Sequence, residues 1–384
     1  MCEGHIPDLT GPIRPIGCYP FAFGGFADVW KAEYRAEDSM AVLVAVKALR
    51  ISFHGNDQDP EIFRRKFDRE ARVWMKLQHP RVTPFLGVCD NFVSVGIPAL
   101  VSPFYANGNI LKYMQNNTGV DRLQLVAEIA EGLTYLHDVD VVHGDLKSNN
   151  ILINDAGQAT LCDFGLSRIL ETSGFTTKSI GGNCRWMSPE LLFPDEDSTP
   201  TIDRECNSDS VSRRTNNSTS NNAPRVTPAS DVWAFGMTIL EVLTERLPFA
   251  HLRADVGVIL FLAKEGLPLR EDYEQIPLAI WHLLQHCWDR VASKRPSMDI
   301  ILRFLEESRA SRSDCVDNTL DLPFGCNCGC VHEIHTDSTS PPTCAMSGSG
   351  NKYIIPPIAP PGRSSVHMHE NALHFCSASH VETY

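Results

Sequence analysis

The spacing of apolar positions changes once along the chain. Residues 21–105 read mainly as strands. Residues 41–49 form an apolar run of strand length broken only by Lys47, and residues 99–101 read as a second strand. Between them, residues 60–77 set Phe63, Phe67, Trp74 and Leu77 at helical spacing. From about residue 109 the period is helical, and Leu123, Val126, Ile129, Ala130, Leu133 and Leu136 make one apolar stripe. Residues 151–153 and 159–162 flank Asn154-Asp155-Ala156-Gly157, which predicts a β-hairpin. Residues 232–243 are apolar nearly all round, as in a helix buried on every side. The order predicts an α+β chain, a small β-rich lobe followed by a larger helical lobe, and no repeat at solenoid spacing interrupts it.

Two stretches break the pattern. Within residues 207–222, 12 of 16 positions are Asn, Ser or Thr, too few apolar groups to offset the entropy of ordering them. Residues 195–226 are therefore expected to be a flexible insertion. Beyond about residue 310 the chain is rich in Ser, Pro, Cys and His, lacks tryptophan, and is expected to lie outside the core as a disordered tail.

Composition narrows the function. At 384 residues, with 43% hydrophobic and 21% charged positions, the chain has enough material for a sizeable core. Its formal net charge of −13 repels phosphate backbones, so nucleic acid is not an expected partner. The 13 cysteines are odd in number and scattered, unlike a secreted disulfide scaffold. No secretory or lipidation signal is read, and no apolar run is long enough to span a bilayer. A cytoplasmic or nuclear setting is the expectation, with no membrane partner.

Short motifs then carry the chemistry. His143-Gly144-Asp145-Leu146-Lys147-Ser148-Asn149-Asn150 precedes the hairpin and Asp163-Phe164-Gly165 follows it. Upstream lies Val44-Ala45-Val46-Lys47; downstream come Ser188-Pro189-Glu190, Asp231-Val232-Trp233-Ala234-Phe235-Gly236 and Arg295-Pro296. Each is weak singly, but in this order over residues 20–309 the set resembles the protein kinase family. Cys184-Arg185-Trp186-Met187, Ala234-Phe235-Gly236 and Cys287-Trp288-Asp289 are most similar to its tyrosine-kinase-like branch of Ser/Thr kinases, and Asp8-Leu9-Thr10-Gly11 resembles the lead-in of fungal kinase domains.

The resemblance implies a two-lobed kinase fold, with an N-lobe at about 20–104 and a C-lobe at about 105–309. A lead-in at 1–19 and the tail at 310–384 flank it. ATP and Mg²⁺ would sit between the lobes, and protein substrates would be phosphorylated on Ser or Thr, a specificity that Lys147 and Arg185 favour. Lys47 would hold the α- and β-phosphates, with Glu70 as its carboxylate partner; the alternative for Glu70 is an ordinary solvated helix charge. Asp163 and Asn150 would supply oxygen ligands to Mg²⁺. Asp145 would accept or orient the substrate hydroxyl proton, and Lys147 would neutralise the γ-phosphate.

In the glycine-rich loop, Ala22, Gly24 and Ala27 stand where the family has three glycines, ahead of Val29. The added methyls imply a stiffer loop and weaker nucleotide binding. Ser102 falls at the gatekeeper position before the hinge Pro103-Phe104-Tyr105. Val29, Ala45 and Leu152 would clamp the adenine or, on the alternative reading, belong to the core. Glu190 with Arg295, Asp231, and His143 with Phe164 and Trp74 are expected as structural support.

Two further departures matter. Gly144 replaces an arginine that usually gathers an activation-segment phosphate, so phosphates on Thr172, Ser173, Thr176, Thr177 or Ser179 would lack that partner. Asn183 replaces a threonine that contacts the catalytic aspartate in Ser/Thr kinases. In the tail, Cys326, Cys328, Cys330, His332 and His335 read either as a zinc site of unusual spacing or as part of a tail without metal. The rival reading of the whole chain is a kinase-like scaffold that binds partners without phosphoryl transfer.

Overall fold

The computed structural model describes residues 5–24, 27–36, 40–50, 60–93, 97–164, 183–194 and 226–313. The insertion up to residue 225, the segment 165–182 with the candidate phosphorylation sites, and the Cys/His cluster of the tail lie outside the described residues.

The N-lobe is a six-stranded antiparallel sheet in the order β1-β3-β4-β6-β5, with β2 paired to β3. Its strands are β1 (Ile13–Pro15), β2 (Ala22–Phe23), β3 (Ala27–Tyr34), β4 (Val42–Leu49), β5 (Gly87–Asp90) and β6 (Pro98–Pro103), and α1 (Pro60–Lys76) lies between β4 and β5. The period-2 rule divides β4 sharply. Val44, Val46 and Ala48 point to one face and are buried with Ala32, Cys89, Ala99 and Val101. Lys47 points to the other, opposite Val29 on β3 and Leu100 on β6.

The sheet begins earlier than the sequence suggested. Residues 1–19 were expected as a lead-in, yet β1 lies within them, and Leu9 and Ile13 are buried in the cluster on the outer face of the sheet. Leu9 N donates to Val88 O at 2.7 Å, so this stretch also covers the free edge of β5. The reason is the apolar pair Leu9 and Ile13, too short a signal to register as a strand.

The C-lobe holds α2 (Ile110–Asn116), α3 (Arg122–Asp138), the hairpin β7 (Ile151–Ile153) and β8 (Ala159–Leu161), α4 (Pro189–Leu192), α5 (Pro228–Thr244), α6 (Asp255–Ala263), α7 (Leu278–Cys287) and α8 (Met298–Ser313). Helix α8 runs past the expected boundary at 309. Asp121 starts α3 by accepting from Leu123 N and Gln124 N at 3.0 and 3.1 Å. Thr227 and Ser230 form a reciprocal capping box at α5, whose residues from Ser230 to Val242 are all buried. Gly236 is required there, because a Cβ would sit 2.6 Å from Trp288 Nε1.

The segment after α1 joins the lobes. Thr83 N donates to Leu161 O at 2.9 Å, Leu161 N to Arg81 O at 2.8 Å, and Trp74 Nε1 to Thr83 O at 2.7 Å. These bonds fix the foot of α1 against β8, the strand that leads into Asp163.

Candidate active site

Two buried helices set the catalytic loop. Asp231 on α5 accepts from His143 N at 2.7 Å and Gly144 N at 2.8 Å, and also contacts His137 Nε2 at 2.9 Å. Thr238 and Glu241 lie further along α5, with Thr238 Oγ1 3.5 Å from Leu146 O and Glu241 accepting from Trp186 Nε1 at 3.1 Å. Burial raises the Glu241 carboxyl above its ordinary range despite its bonds to Ser148 and Trp186. Gly144 has φ +77°, a left-handed conformation that costs glycine little and would strain the arginine usual there. His143 is fully buried, and burial holds its imidazole neutral. It accepts from Asp145 N at Nδ1, which places the ring proton on Nε2.

Around Asp145 the donors converge. Lys147 Nζ lies 2.9 and 3.2 Å from its two carboxylate oxygens, and Asn150 Nδ2 donates to Asp145 Oδ2 at 3.0 Å and to Asp145 O at 2.6 Å. Asn183 completes the cluster: its Nδ2 donates to Asp145 Oδ1 at 2.9 Å while its Oδ1 accepts from Lys147 at 2.9 Å. An amide offers a donor and an acceptor at once, so it bridges both partners of the ion pair. The sequence placed Asn183 where a threonine contacts the catalytic aspartate, and its amide makes that contact here.

Asp163 follows β8 and has φ +65°, a conformation that Asp tolerates better than most residues. Its Oδ2 is 2.6 Å from Lys47 Nζ. Burial acts to raise the Asp163 carboxyl, but the Lys47 ammonium outweighs it and holds the group below its usual range. Cys162 beside it is driven the other way, its buried thiol pushed well up and kept protonated. Cys162 N donates to Asn150 O at 3.0 Å, which links the Asp163 strand to the catalytic loop. Asn150 spends its N–H donors on Asp145, so its amide oxygen is the atom suited to a cation. With the ionised Asp163 this is a hard oxygen donor set, and it fits Mg²⁺.

One expected pair is not formed. Lys47 meets Asp163 rather than Glu70, and Glu70 pairs with its neighbour Arg69 at 3.4 Å. Glu70 keeps only 17% side-chain exposure, so it is not a freely solvated charge either. The physical reason is competition: Asp163 and Glu70 both offer a carboxylate to one ammonium, and Arg69 offers Glu70 a local alternative.

The residues expected around the adenine lie on β2, β3, β4, β6 and β7 and just beyond β6. Val29, Ala45 and Leu152 are all half-buried; Ala45 and Leu152 stand between buried strand neighbours, whereas Asp28 and Trp30 beside Val29 are half-buried too. Ala45 pairs across the sheet with Ser102, and Ala22 with Val29. Tyr105 O accepts from Gly108 N at 3.2 Å in the hinge, and burial raises the Tyr105 phenol. The supporting groups also meet as expected. Trp74, Phe164 and His143 meet in series, edge to face, with centroids 5.4 and 6.3 Å apart, and Arg295 grips Glu190 through two bonds of 2.7 and 2.8 Å. Among the described residues no His/Cys/Asp/Glu cluster suits a dedicated metal site, and no helix is long and apolar enough to cross a membrane.

A two-lobed fold, a lysine paired to the Asp163 carboxylate and an aspartate cradled by Lys147 and two asparagines bring the kinase motif residues into one site. The family described as protein tyrosine and serine/threonine kinase matches residues 20–203 and 216–305, and the chain belongs to the protein kinase family, in its tyrosine-kinase-like branch. Among its relatives is the serine/threonine/tyrosine-protein kinase HT1 of Arabidopsis thaliana, 26% identical over 313 residues that cover 79% of this chain and 67% of that protein. Mitogen-activated protein kinase kinase kinase 10 of Mus musculus is 30% identical over 298 residues, 74% of this chain and 27% of its own length. The serine/threonine-protein kinase TNNI3K of Homo sapiens is 26% identical over 351 residues, 89% of this chain and 35% of its own. The chain thus spans about a third or less of the latter two relatives.

Proposed function

We propose that this chain transfers the γ-phosphate of ATP, in the presence of Mg²⁺, to Ser and Thr hydroxyls of protein substrates. The observation that carries the reading is the cluster at Asp145, where Lys147, Asn150 and Asn183 all donate within 3.2 Å of its carboxylate. Phosphoryl transfer needs positioning and charge neutralisation more than covalent help, and the cluster supplies both. Asp145 orients the attacking hydroxyl and takes its proton; Lys147 sits beside it to balance charge on the transferred group. Lys47 is the cation for the α- and β-phosphates. Asn150 and Asp163 would hold Mg²⁺, which when bound neutralises the phosphate oxygens.

Relatives named as serine/threonine kinases support the hydroxyl class, while one named serine/threonine/tyrosine kinase leaves dual specificity as the outcome to test against. The acidic net charge of −13 argues for protein rather than nucleic-acid partners. A cytoplasmic or nuclear setting stays part of the proposal. The Glu70–Arg69 pair favours one second reading, a scaffold without transfer. Incubation with labelled ATP, Mg²⁺ and a generic basic protein, followed by phosphoamino-acid analysis, separates the readings. Phosphoserine and phosphothreonine support the proposal, phosphotyrosine overturns its specificity, and nucleotide binding without transfer supports the scaffold.

A further inference from the structure

The glycine-poor nucleotide loop is restrained from a side that its own sequence does not reveal. The two limbs of the loop are β2 and β3, and they are already joined: Phe21 N donates to Val29 O at 2.7 Å and Gly24 N to Ala27 O at 2.8 Å. Side-chain alternation sorts the residues that follow. Ala27, Val29 and Lys47 point to the inner face, where Ala27 is buried in the same cluster as Leu49. Asp28 lies opposite Ala48 on the outer face, and Arg50, two residues beyond Ala48, is its diagonal neighbour there.

Arg50 uses that place to hold two parts of the loop at once. Its Nη2 donates to the Gly24 carbonyl, and its Nη1 lies 3.3 Å from Asp28 Oδ1. The Asp28 side chain is only 17% exposed, and that oxygen is buried with no hydrogen bond of its own. The guanidinium therefore compensates a carboxylate that would otherwise be desolvated without a partner. A planar guanidinium can grip a carbonyl and a carboxylate together; a lysine ammonium matches that fork poorly.

We propose that Arg50 is a positioning residue for the nucleotide. It clamps Gly24 and Asp28 from outside the sheet and so fixes these two limbs of the loop relative to Lys47, three residues before it in sequence, which would hold the phosphates. Where Ala22 and Ala27 stiffen the loop, its resting position has to be right before nucleotide arrives, and Arg50 sets it. The inference rests on the kinase reading and deepens it.

The test measures ATP affinity directly, by titration of the full chain with MgATP, alongside KM and kcat for transfer. Arg50→Ala is expected to weaken ATP affinity and raise KM by about three- to tenfold, with kcat changed by less than about twofold, as for the loss of one charge-assisted contact. Arg50→Lys should recover only part of that loss. Asp28→Ala should weaken binding in the same direction, and the Asp28→Ala/Arg50→Ala double variant should bind no worse than Arg50→Ala by itself. Unchanged ATP affinity in Arg50→Ala overturns the inference. So does an equal fall in kcat and thermal stability at constant KM, which marks a merely structural role. A wild-type chain that binds ATP without transferring it removes the catalytic reading and still tests the clamp; a wild-type chain that binds no ATP overturns both.

Discussion

The ion pair between Glu190 and Arg295 offers the clearest test of the packing beneath the site. Arg295 has 0% side-chain exposure and Glu190 35%, so the two ends of the pair are buried unequally. Besides Glu190, the guanidinium donates to Asp289 O at 2.8 Å and Ala229 O at 2.9 Å and lies 5.2 Å over the Trp233 ring. Glu190→Ala leaves this cation buried with two carbonyls and a ring face, and should cost about 3–5 kcal/mol, the range for breaking a buried pair from one side. Glu190→Gln keeps one acceptor and should cost less, about 1–3 kcal/mol. Arg295→Ala strands a carboxylate that water can partly reach, but it also frees two carbonyls and empties the space against Trp233. It should match Glu190→Ala, again about 3–5 kcal/mol. Against a typical total of about 5–15 kcal/mol, each Ala variant brings the chain close to its unfolding threshold. Urea unfolding of the full chain, followed by tryptophan fluorescence, reads the difference, and a Glu190→Ala/Arg295→Ala variant gives the coupling. A loss below about 1 kcal/mol in both single variants would place the pair among ordinary surface ion pairs and refute the reasoning.

The remaining predictions concern the same scaffold and its boundaries. Burial acts to raise the Glu190 carboxyl, yet Arg295 outweighs it and holds the group below the ordinary glutamate value of 4.5. The stabilisation is therefore full above that value and fades as pH falls through the lower folded one, so the stability gap between wild type and Glu190→Gln should shrink on acidification; a gap that widens contradicts it. Gly236→Ala puts a methyl 2.6 Å from Trp288 Nε1 and 2.9 Å from Cys287 Cβ. Thermal unfolding should show a loss of about 1–3 kcal/mol, and a neutral result would mean that α5 and α7 are less tightly opposed. Deleting residues 204–215, which the family match skips, should leave transfer within about twofold of wild type, since α5 carries its own capping box at Thr227; a large fall in rate would assign the segment a role in transfer.

The parts of the fold legible in the sequence were those with long or repeated signals. The helical stripe of α3, the hairpin around Asn154–Gly157 and the apolar run of α5 all formed where the spacing placed them. Strand β1 was missed because its contribution rests on Leu9 and Ile13, two side chains separated by a turn. In α5 the dominant apolar character concealed Thr238 and Glu241, whose value lies in facing the catalytic loop rather than in their own pattern. At the site, motif order located Lys47, Asp145, Asn150 and Asp163, because each follows a recognisable neighbour. Which carboxylate Lys47 meets depends on the placement of α1, and that is a tertiary outcome no local spacing encodes. Arg50 was hidden for a related reason: it acts across segments far apart in sequence.

The central claim is that Asp163, Lys47, Asp145 and Asn150 form one phosphoryl-transfer centre. The most direct measurement is the rate of γ-phosphate transfer from labelled ATP by wild type, Asp145→Asn and Asp163→Ala, with ATP binding and thermal stability recorded on the same samples. Wild type should transfer phosphate; each variant should fall by about 100-fold or more while remaining folded, and Asp145→Asn should keep its ATP affinity. Transfer at the wild-type rate in folded Asp163→Ala would contradict the account.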